Sequence, residues 1–476
     1  MKESVVFLTK NSNSYLYSAQ SLLSLLIHPE LRKAYDKSAN VDPYYLKKYE
    51  YLEKYGLFKE AENTDFETSF DESIIKKNIS QVRQIVFETT DHCNLHCSYC
   101  SLGELYKIGK TNHKNINTDF AINFLKYIFN IKPAKSKLII GFFGGEPLIN
   151  IDFIKKVIEE TKQLNREKGL ELEFNITTNA SLIHKHIKFL IDNNFILLIS
   201  LDGNKKGHSY RSYIKNNKNS FNDVIKNIDM IQQYYPKYFD KNISFNAVLN
   251  NRNSVKGIYH FIYNRYHKIP RISQLNTTDI TPNKKSFFNK IFRNKIMSEK
   301  EFEKEETALL PIVRKELTSY KELSNFLNNY SVNFYISNLI NLLNNNIIPY
   351  PTGTCLPFDR KIFLNTNHDI LPCEKVYYKY AMGKVNNNIT FHISNIINEY
   401  NFYYSNIKKI CQHCYASKNC KICLLCLDNL DKLGTDEFIC PGFQDKEYFK
   451  NRLNKIFSFL EKHPSDYFQI IDNKMI

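Results

Sequence analysis

The sequence predicts an α/β fold: a partial (β/α)6 barrel flanked by a small amino-terminal α+β module and a cysteine-rich carboxyl-terminal domain. Three observations carry this. Strand-like and helical segments alternate from residue 83 to about residue 280; the 11 cysteines fall into two groups, one near the start of that region and one well beyond its end; and the first 80 residues hold none and read as a hairpin followed by short helices. A chain of 476 residues, 43% of them hydrophobic, can bury a large core and carry two or three domains.

The alternation opens with "RQIVFETT" (83–90), a β-rich run that delivers the chain into a loop containing three cysteines. Residues 118–131 follow with apolar positions at helical spacing behind a Thr cap, then the strand 137–143. Residues 152–169 read as helix, 171–179 as strand, 182–194 as helix and 195–203 as strand, and two further units end in strands at 242–250 and 271–276. Such alternation implies right-handed crossovers and a parallel sheet, with function at the carboxyl ends of the strands. At those ends stand the cysteines, then "GGEP" (144–147), "TTN" (177–179), "SLDG" (200–203) and "NAVLN" (246–250).

The formal charge of +16 would suit a polyanionic partner, but the charges are scattered rather than blocked, amid much Lys, Asn, Ile, Tyr and Phe, so composition argues against nucleic acid. The start lacks the features of a signal peptide, and no run reaches the length of a membrane span. A cytoplasmic enzyme with no membrane partner is expected, its cysteines reduced and serving as metal ligands or catalytic groups.

No cysteine stands between Cys100 and Cys355. Cys93, Cys97 and Cys100 form the first group, and Cys355, Cys373, Cys411, Cys414, Cys420, Cys423, Cys426 and Cys440 the second. Three thiolates do not close a tetrahedral structural zinc site, although His92 or His96 could supply a fourth ligand. They could hold a [4Fe–4S] cluster with one iron open to a further ligand.

"CNLHCSYC" (93–100) and the ordered motifs after it resemble the radical S-adenosylmethionine (radical SAM) superfamily over residues 83 to 280, including the aromatic Tyr99 before the last cysteine. The resemblance implies a radical-generating [4Fe–4S] cluster on Cys93, Cys97 and Cys100, whose open iron holds the methionine part of SAM. It implies SAM contacts from Tyr99, from Gly144, Gly145 and Glu146, from Thr178 and Asn179, from Ser200 and Asp202, and from Arg211 as partner of the SAM carboxylate, with Asn246 and Val248 flanking the adenine. A surface ion pair is the plain alternative for Arg211 and Asp202. The chemistry implied is reductive cleavage of SAM to a 5′-deoxyadenosyl radical that abstracts hydrogen from an unactivated carbon.

The carboxyl-terminal run "CQHCYASKNCKICLLC" (411–426) has CxxC units that would also suit zinc knuckles on a nucleic-acid-binding protein. With its companions it resembles the SPASM extension of peptide-modifying radical SAM enzymes, which carries auxiliary iron–sulfur clusters. That resemblance implies one cluster on Cys411, Cys414, Cys420 and Cys440 and a second on Cys355, Cys373, Cys423 and Cys426, with a single auxiliary cluster as the alternative. The spacing at Cys420, Cys423 and Cys426 departs from the family, and His368 or Asp369 stands where it has glycine.

The expected organisation is an amino-terminal module (1–80), the barrel (81–300), a helical linker (301–350), the auxiliary cluster domain (351–445) and a helical tail (446–476). In the module a β-hairpin over 4–20 precedes helical runs at 21–36 and 43–57, a layout that would grip the leader of a precursor peptide by its strand edge or merely cap the barrel. The reading is a peptide maturase that installs a thioether or carbon–carbon crosslink in a ribosomal precursor peptide and draws electrons from a flavodoxin or ferredoxin. A sulfatase-maturating enzyme is the alternative within the superfamily. Asp279 is a candidate acid or base, an ordinary loop aspartate being the simpler reading.

Overall fold

The computed structural model describes residues 2–58, 60–107, 113–305, 307–331 and 349–472. Fifteen strands are numbered in chain order. An antiparallel sheet of β1 (Val5–Leu8), β2 (Ser14–Tyr17) and β3 (Ser24–Ile27) opens the chain in the order β1-β2-β3. The expected hairpin is therefore present, with Val5 opposite Tyr17. The stretch read as helix from residue 21 is instead the third strand, and helix begins only at Pro29, behind His28, whose side chain accepts from the Glu30 N–H. Apolar residues there fit either period, and pairing with β2 decides between them.

The barrel strands are β4 (Gln84–Thr90), β6 (Lys137–Gly144), β7 (Glu171–Thr178), β8 (Ile196–Ser200), β10 (Ile243–Leu249) and β11 (Arg271–Gln274). Each pairs in parallel with the next, as the alternation requires. Helices such as Thr118–Ile131, Ile151–Lys168 and Ile183–Asp192 cover the outer face. The first is capped by Asn117, whose side chain accepts from the Phe120 N–H, rather than by Thr118. Between sheet and helices lies a dense core that includes Phe87, Phe124, Phe142 and Phe153.

The barrel sheet does not stop at β4. β12 (Lys361–Leu364) lies parallel to β4, with Lys361 opposite Gln84, and β13 (Asp369–Leu371), β14 (Gly383–Val385) and β15 (Ile389–Phe391) continue it antiparallel. The result is a ten-stranded sheet ordered β11-β10-β8-β7-β6-β4-β12-β13-β14-β15. β5 (Leu95–Cys97) and β9 (Arg211–Tyr213) form a separate two-stranded ribbon.

A second core joins distant parts of the sequence: Val5, Phe7 and Tyr17 pack with Leu323 and Phe326 of the helix Thr318–Asn329 and with Phe449 and Phe457 of the helix Lys446–Lys462. The first helices of the expected linker appear at Lys295–Glu303 and Thr318–Asn329, and its remainder, 332–348, lies outside the described residues. Among the described residues no helix is long and apolar enough to cross a membrane.

Candidate active site

β4 ends in Thr90, whose hydroxyl donates to the Lys114 carbonyl at 3.0 Å and accepts from the His92 N–H at 3.1 Å, fixing the entry to the cysteine loop. The loop returns as β5, where Cys97 stands opposite Arg211 of β9. All 11 cysteines are free. Burial pushes the Cys93 thiol up to about 12, with the nearby Glu146 carboxylate adding to the shift. Burial likewise raises Cys97, against the opposing charge of Arg211, and Cys100. Without metal these thiols stay protonated, and a metal centre that takes all three displaces their protons. His92 and His96, the alternative fourth ligands, are both exposed, with His92 edge-on to His113.

The end of β6 is pressed against this loop. Gly144 has φ +135, and a Cβ there would fall 2.1 Å from the Thr90 carbonyl oxygen; on Gly145 it would fall 2.3 Å from that of His92. Neither position admits a side chain while the loop keeps its course. Glu146 follows, fully buried, its N–H donating to the His92 carbonyl at 3.0 Å. Its carboxyl accepts from Thr178 Oγ1 at 2.7 Å, the Asn179 N–H at 2.7 Å and the Leu148 N–H at 3.2 Å. Burial nevertheless pushes it up to about 7, those hydrogen bonds opposing the shift. Glu146 thus locks the ends of β6 and β7 together. Asn179 carries the lock to the cysteines, donating through Nδ2 to Asn94 Oδ1 at 2.9 Å, with Cys93 Sγ at 3.8 Å.

Across the loop lies a buried ion pair, in place of the surface pair weighed for Arg211 and Asp202. Arg211 donates from Nε and Nη2 to the two Asp202 oxygens at 2.9 and 3.1 Å. Asp202, with no exposed surface, also accepts from the Tyr99 hydroxyl and, at 2.9 Å, from the Val248 N–H. Burial favours its neutral form, but the Arg211 charge and these bonds outweigh that and hold its carboxyl below the usual range. The guanidinium lies 5.4 Å from the Tyr99 ring centroid. A ligand carboxylate would therefore meet only the Arg211 donors that Asp202 leaves over. Ser200 and Asn246 are half-buried and pair across β8 and β10, and Asn246 Oδ1 accepts from Ser273 at 3.1 Å.

These motifs, separate in sequence, converge at the carboxyl ends of β4, β6, β7, β8 and β10. The sequence profile of the radical SAM superfamily matches residues 87–254. Residues 87–254 are a radical SAM domain. A curated relative, the cysteine-type anaerobic sulfatase-maturating enzyme of Clostridium novyi (strain NT), is 30% identical over 166 residues, 34% of this chain and 43% of that protein. The radical SAM cyclopropyl synthase TigE of Paramaledivibacter caminithermalis is 28% identical over 180 residues, 36% of each chain. The chain thus spans less than half the length of these relatives. Among solved structures, His-tagged anSMEcpe with bound AdoMet aligns at a TM-score of 0.53 and 16% identity, covering 82% of this chain and 95% of that one, a likeness of fold.

A radical SAM domain works with a [4Fe–4S] cluster and SAM, which together supply one-electron cleavage of a sulfonium and a radical able to abstract hydrogen. The residues fit: three reduced thiols on one loop would hold the cluster, the paired glycines let two backbones meet beside it, and Arg211 keeps donors beyond its ion pair.

In the carboxyl-terminal region the eight cysteines fall into two neighbourhoods. Cys411 lies within electrostatic reach of Cys420, Cys414 and Cys440, and Cys420 within reach of Cys440 and Cys414. Cys355 feels Cys423, and Cys426 feels Cys423 and Cys373. A hydrogen bond from the Cys426 thiol holds the Cys423 thiol below its usual range. Among the described residues no three or more His, Cys, Asp or Glu are gathered tightly enough to hold a single metal ion. His368, where glycine was expected, adopts a left-handed φ of +65, and its Nε2 accepts from the Asn117 N–H at 3.1 Å.

Three contacts were not foreseen from the sequence. Glu88, buried on β4, accepts from the Tyr378 hydroxyl at 2.8 Å and the Thr366 N–H at 2.9 Å, tying the cysteine-rich region to the barrel. A carboxylate directly after the apolar run 85–87 was the available signal. Asp279 is a buried aspartate of the loop after β11; it donates its N–H to Asp428 at 2.9 Å, and its carboxyl engages Tyr377. Lys2 is buried beside Cys411 and Cys414, and nothing local in the sequence signalled it.

Proposed function

We propose that the chain is a radical SAM peptide maturase that abstracts hydrogen from a ribosomal precursor peptide and installs a thioether or carbon–carbon crosslink. The observation that carries this reading is the company the radical SAM domain keeps: two groups of four thiols beside it and an amino-terminal sheet with a free edge. In this reading Cys93, Cys97 and Cys100 hold the radical-generating cluster, and Gly144, Gly145, Glu146, Thr178, Asn179, Ser200, Asp202, Arg211, Asn246 and Val248 form or support the SAM site. Cys411, Cys414, Cys420 and Cys440 hold one auxiliary cluster, and Cys355, Cys373, Cys423 and Cys426 the other, in a SPASM-like domain over residues 351–445. A flavodoxin or ferredoxin supplies electrons.

Residues 1–80 serve the precursor. β3 is an edge strand with Leu26 67% exposed, and the helix Pro43–Lys54 buries none of its side chains while exposing Tyr44 and Tyr51. An extended leader adding to β3 would gain main-chain hydrogen bonds and apolar contacts there. Leu26→Lys is a gentler test than deleting residues 1–80, which would strip Val5, Phe7 and Tyr17 from the second core. The substitution is expected to weaken precursor binding about tenfold, the worth of one buried leucine. Unchanged affinity would refute the recognition role.

Sulfatase maturation is the second reading, favoured by the Clostridium novyi relative. Mass spectrometry separates the two: a crosslink removes two hydrogens from the precursor, whereas sulfatase maturation replaces a side-chain thiol or hydroxyl by an aldehyde. The underlying chemistry is tested on anaerobically reconstituted protein. About 12 irons, the content of three [4Fe–4S] clusters, and 5′-deoxyadenosine production lost in the Cys93/Cys97/Cys100 triple alanine variant are expected. Absence of iron and of product would overturn both readings.

A further inference from the structure

Lys2 is among the few lysines that the fold buries, at 7% exposure. Its Nζ donates to Ser417 Oγ at 2.8 Å and lies 3.5 Å from Thr64 Oγ1. Among the described residues no Asp or Glu forms an ion pair with it; burial pulls its pKa down, and its partner Ser417 donates its N–H to the Cys414 carbonyl at 3.2 Å. Lys418, one residue beyond Ser417, is near enough for the two ammonium groups to feel each other. Buried cations normally have a partner, because an unpaired charge away from water is costly. Here a buried cation sits beside the cysteine loop with no carboxylate paired to it among the described residues.

The backbone around Lys2 is fixed from both sides. Its N–H donates to the Ala61 carbonyl at 3.4 Å and its carbonyl accepts from the Ala61 N–H at 2.8 Å. The next residue, Glu3, accepts through its carbonyl from the Tyr415 hydroxyl at 3.0 Å and forms an ion pair with Lys446. The Tyr330 hydroxyl donates to the Ala416 carbonyl at 2.8 Å. The loop from Cys414 to Cys420 is thus latched to the segment that leads into β1, and Ser417 aims the ammonium from within that loop.

We propose that Lys2, on the segment that leads into β1, is the charge partner of the iron–sulfur cluster held by Cys411, Cys414, Cys420 and Cys440, and that it raises that cluster's reduction potential. The proposal rests on the reading that these four thiolates hold a cluster. Four thiolates on an oxidised [4Fe–4S] core leave a net charge of about −2, and reduction adds another negative charge. A fixed ammonium nearby stabilises the reduced form more than the oxidised one, which moves the potential upward. Lys2 is then a positioning residue that sets how readily this cluster takes an electron. Because Lys2 stands three residues before β1, a peptide bound at β3 that shifts the sheet would pull on the segment that carries the ammonium.

The test uses the full chain, reconstituted anaerobically, with Lys2→Met and Lys2→Arg, reading iron and sulfide content and the potentials from an EPR-monitored redox titration. The potential altered by Cys440→Ala identifies the cluster in question. The expected result is wild-type iron content in both variants, a more negative potential for that cluster in Lys2→Met, and a potential near wild type in Lys2→Arg. Iron lost in Lys2→Met and kept in Lys2→Arg would also support a charge partner. Unchanged potential in Lys2→Met, or equal loss of iron in both variants, would overturn it. The Cys93/Cys97/Cys100 triple alanine variant separates the underlying reading: if it holds no iron, the auxiliary clusters fail and the proposal fails with them.

Discussion

Replacing Asp202 by asparagine will loosen the wall of the site opposite Glu146. Asp202 has no exposed surface and accepts from Arg211 Nε and Nη2, from the Val248 N–H and from the Tyr99 hydroxyl. An amide of the same shape keeps one acceptor oxygen and turns an NH2 toward donors, leaving the Arg211 guanidinium buried without a counter-charge. Breaking a buried pair in this way costs about 3–5 kcal/mol. Taking 3 kcal/mol as the loss in local opening energy, and a factor of ten per 1.4 kcal/mol, amide exchange should accelerate by about two orders of magnitude. The readout is native-state hydrogen exchange by mass spectrometry on peptides covering β5, β9 and β10, since Cys97 pairs with Arg211 and Val248 lies on β10. Arg211→Met should accelerate exchange less, because the stranded Asp202 can take a proton. The double variant should fall well short of the sum, since neither charge is then stranded. Exchange in Asp202→Asn within about threefold of wild type, well under 1 kcal/mol, would refute the reasoning.

Gly145→Ala puts a Cβ 2.3 Å from the His92 carbonyl oxygen, so the cysteine loop must shift; iron analysis should show about four of about 12 irons lost with the auxiliary clusters retained. Glu146, raised to about 7 from 4.5, binds its proton more tightly folded than unfolded. Its contribution is therefore fully present below about pH 4.5 and is lost as pH rises through about 7. Metal-free wild type should melt lower at pH 8 than at pH 5 on this account, and Glu146→Gln should flatten that difference. Double alanine variants of Cys411 with Cys440, and of Cys355 with Cys373, should each cost about four irons; equal loss of about eight from either pair would show that the two groups are not separate sites.

The parallel barrel was legible because its signal is local: each strand from β4 to β11 lies between helical runs of clear period. The gathering of Cys93, Gly145, Asn179 and Asp202 followed from one topological rule, that parallel strands present their carboxyl ends on one rim. What escaped was non-local. Nothing in residues 361–364 says that they pair with β4, and only folding brings Lys2 beside Cys411 and Cys414. The sequence offered Arg211 and Asp202 as a surface ion pair; what it did not show is that the pair is buried, with Asp202 taking two of the arginine's donors. At His368 the expected glycine's backbone survives without glycine, the left-handed turn being held by its tertiary bond to Asn117.

The pairing of β12 with β4 has a consequence for the order of events on the ribosome. The strand that delivers the three cysteines ends at Thr90, whereas the strand that covers its outer edge ends at Leu364. At 5–20 residues per second, that neighbour is made roughly 15–55 s later. Over that interval the nascent barrel carries an uncovered edge beside the strand that leads into its three-cysteine loop, and such edges recruit other chains. Completion of the sheet therefore waits on the carboxyl-terminal region, so a chain truncated before residue 361 should aggregate rather than yield a working barrel.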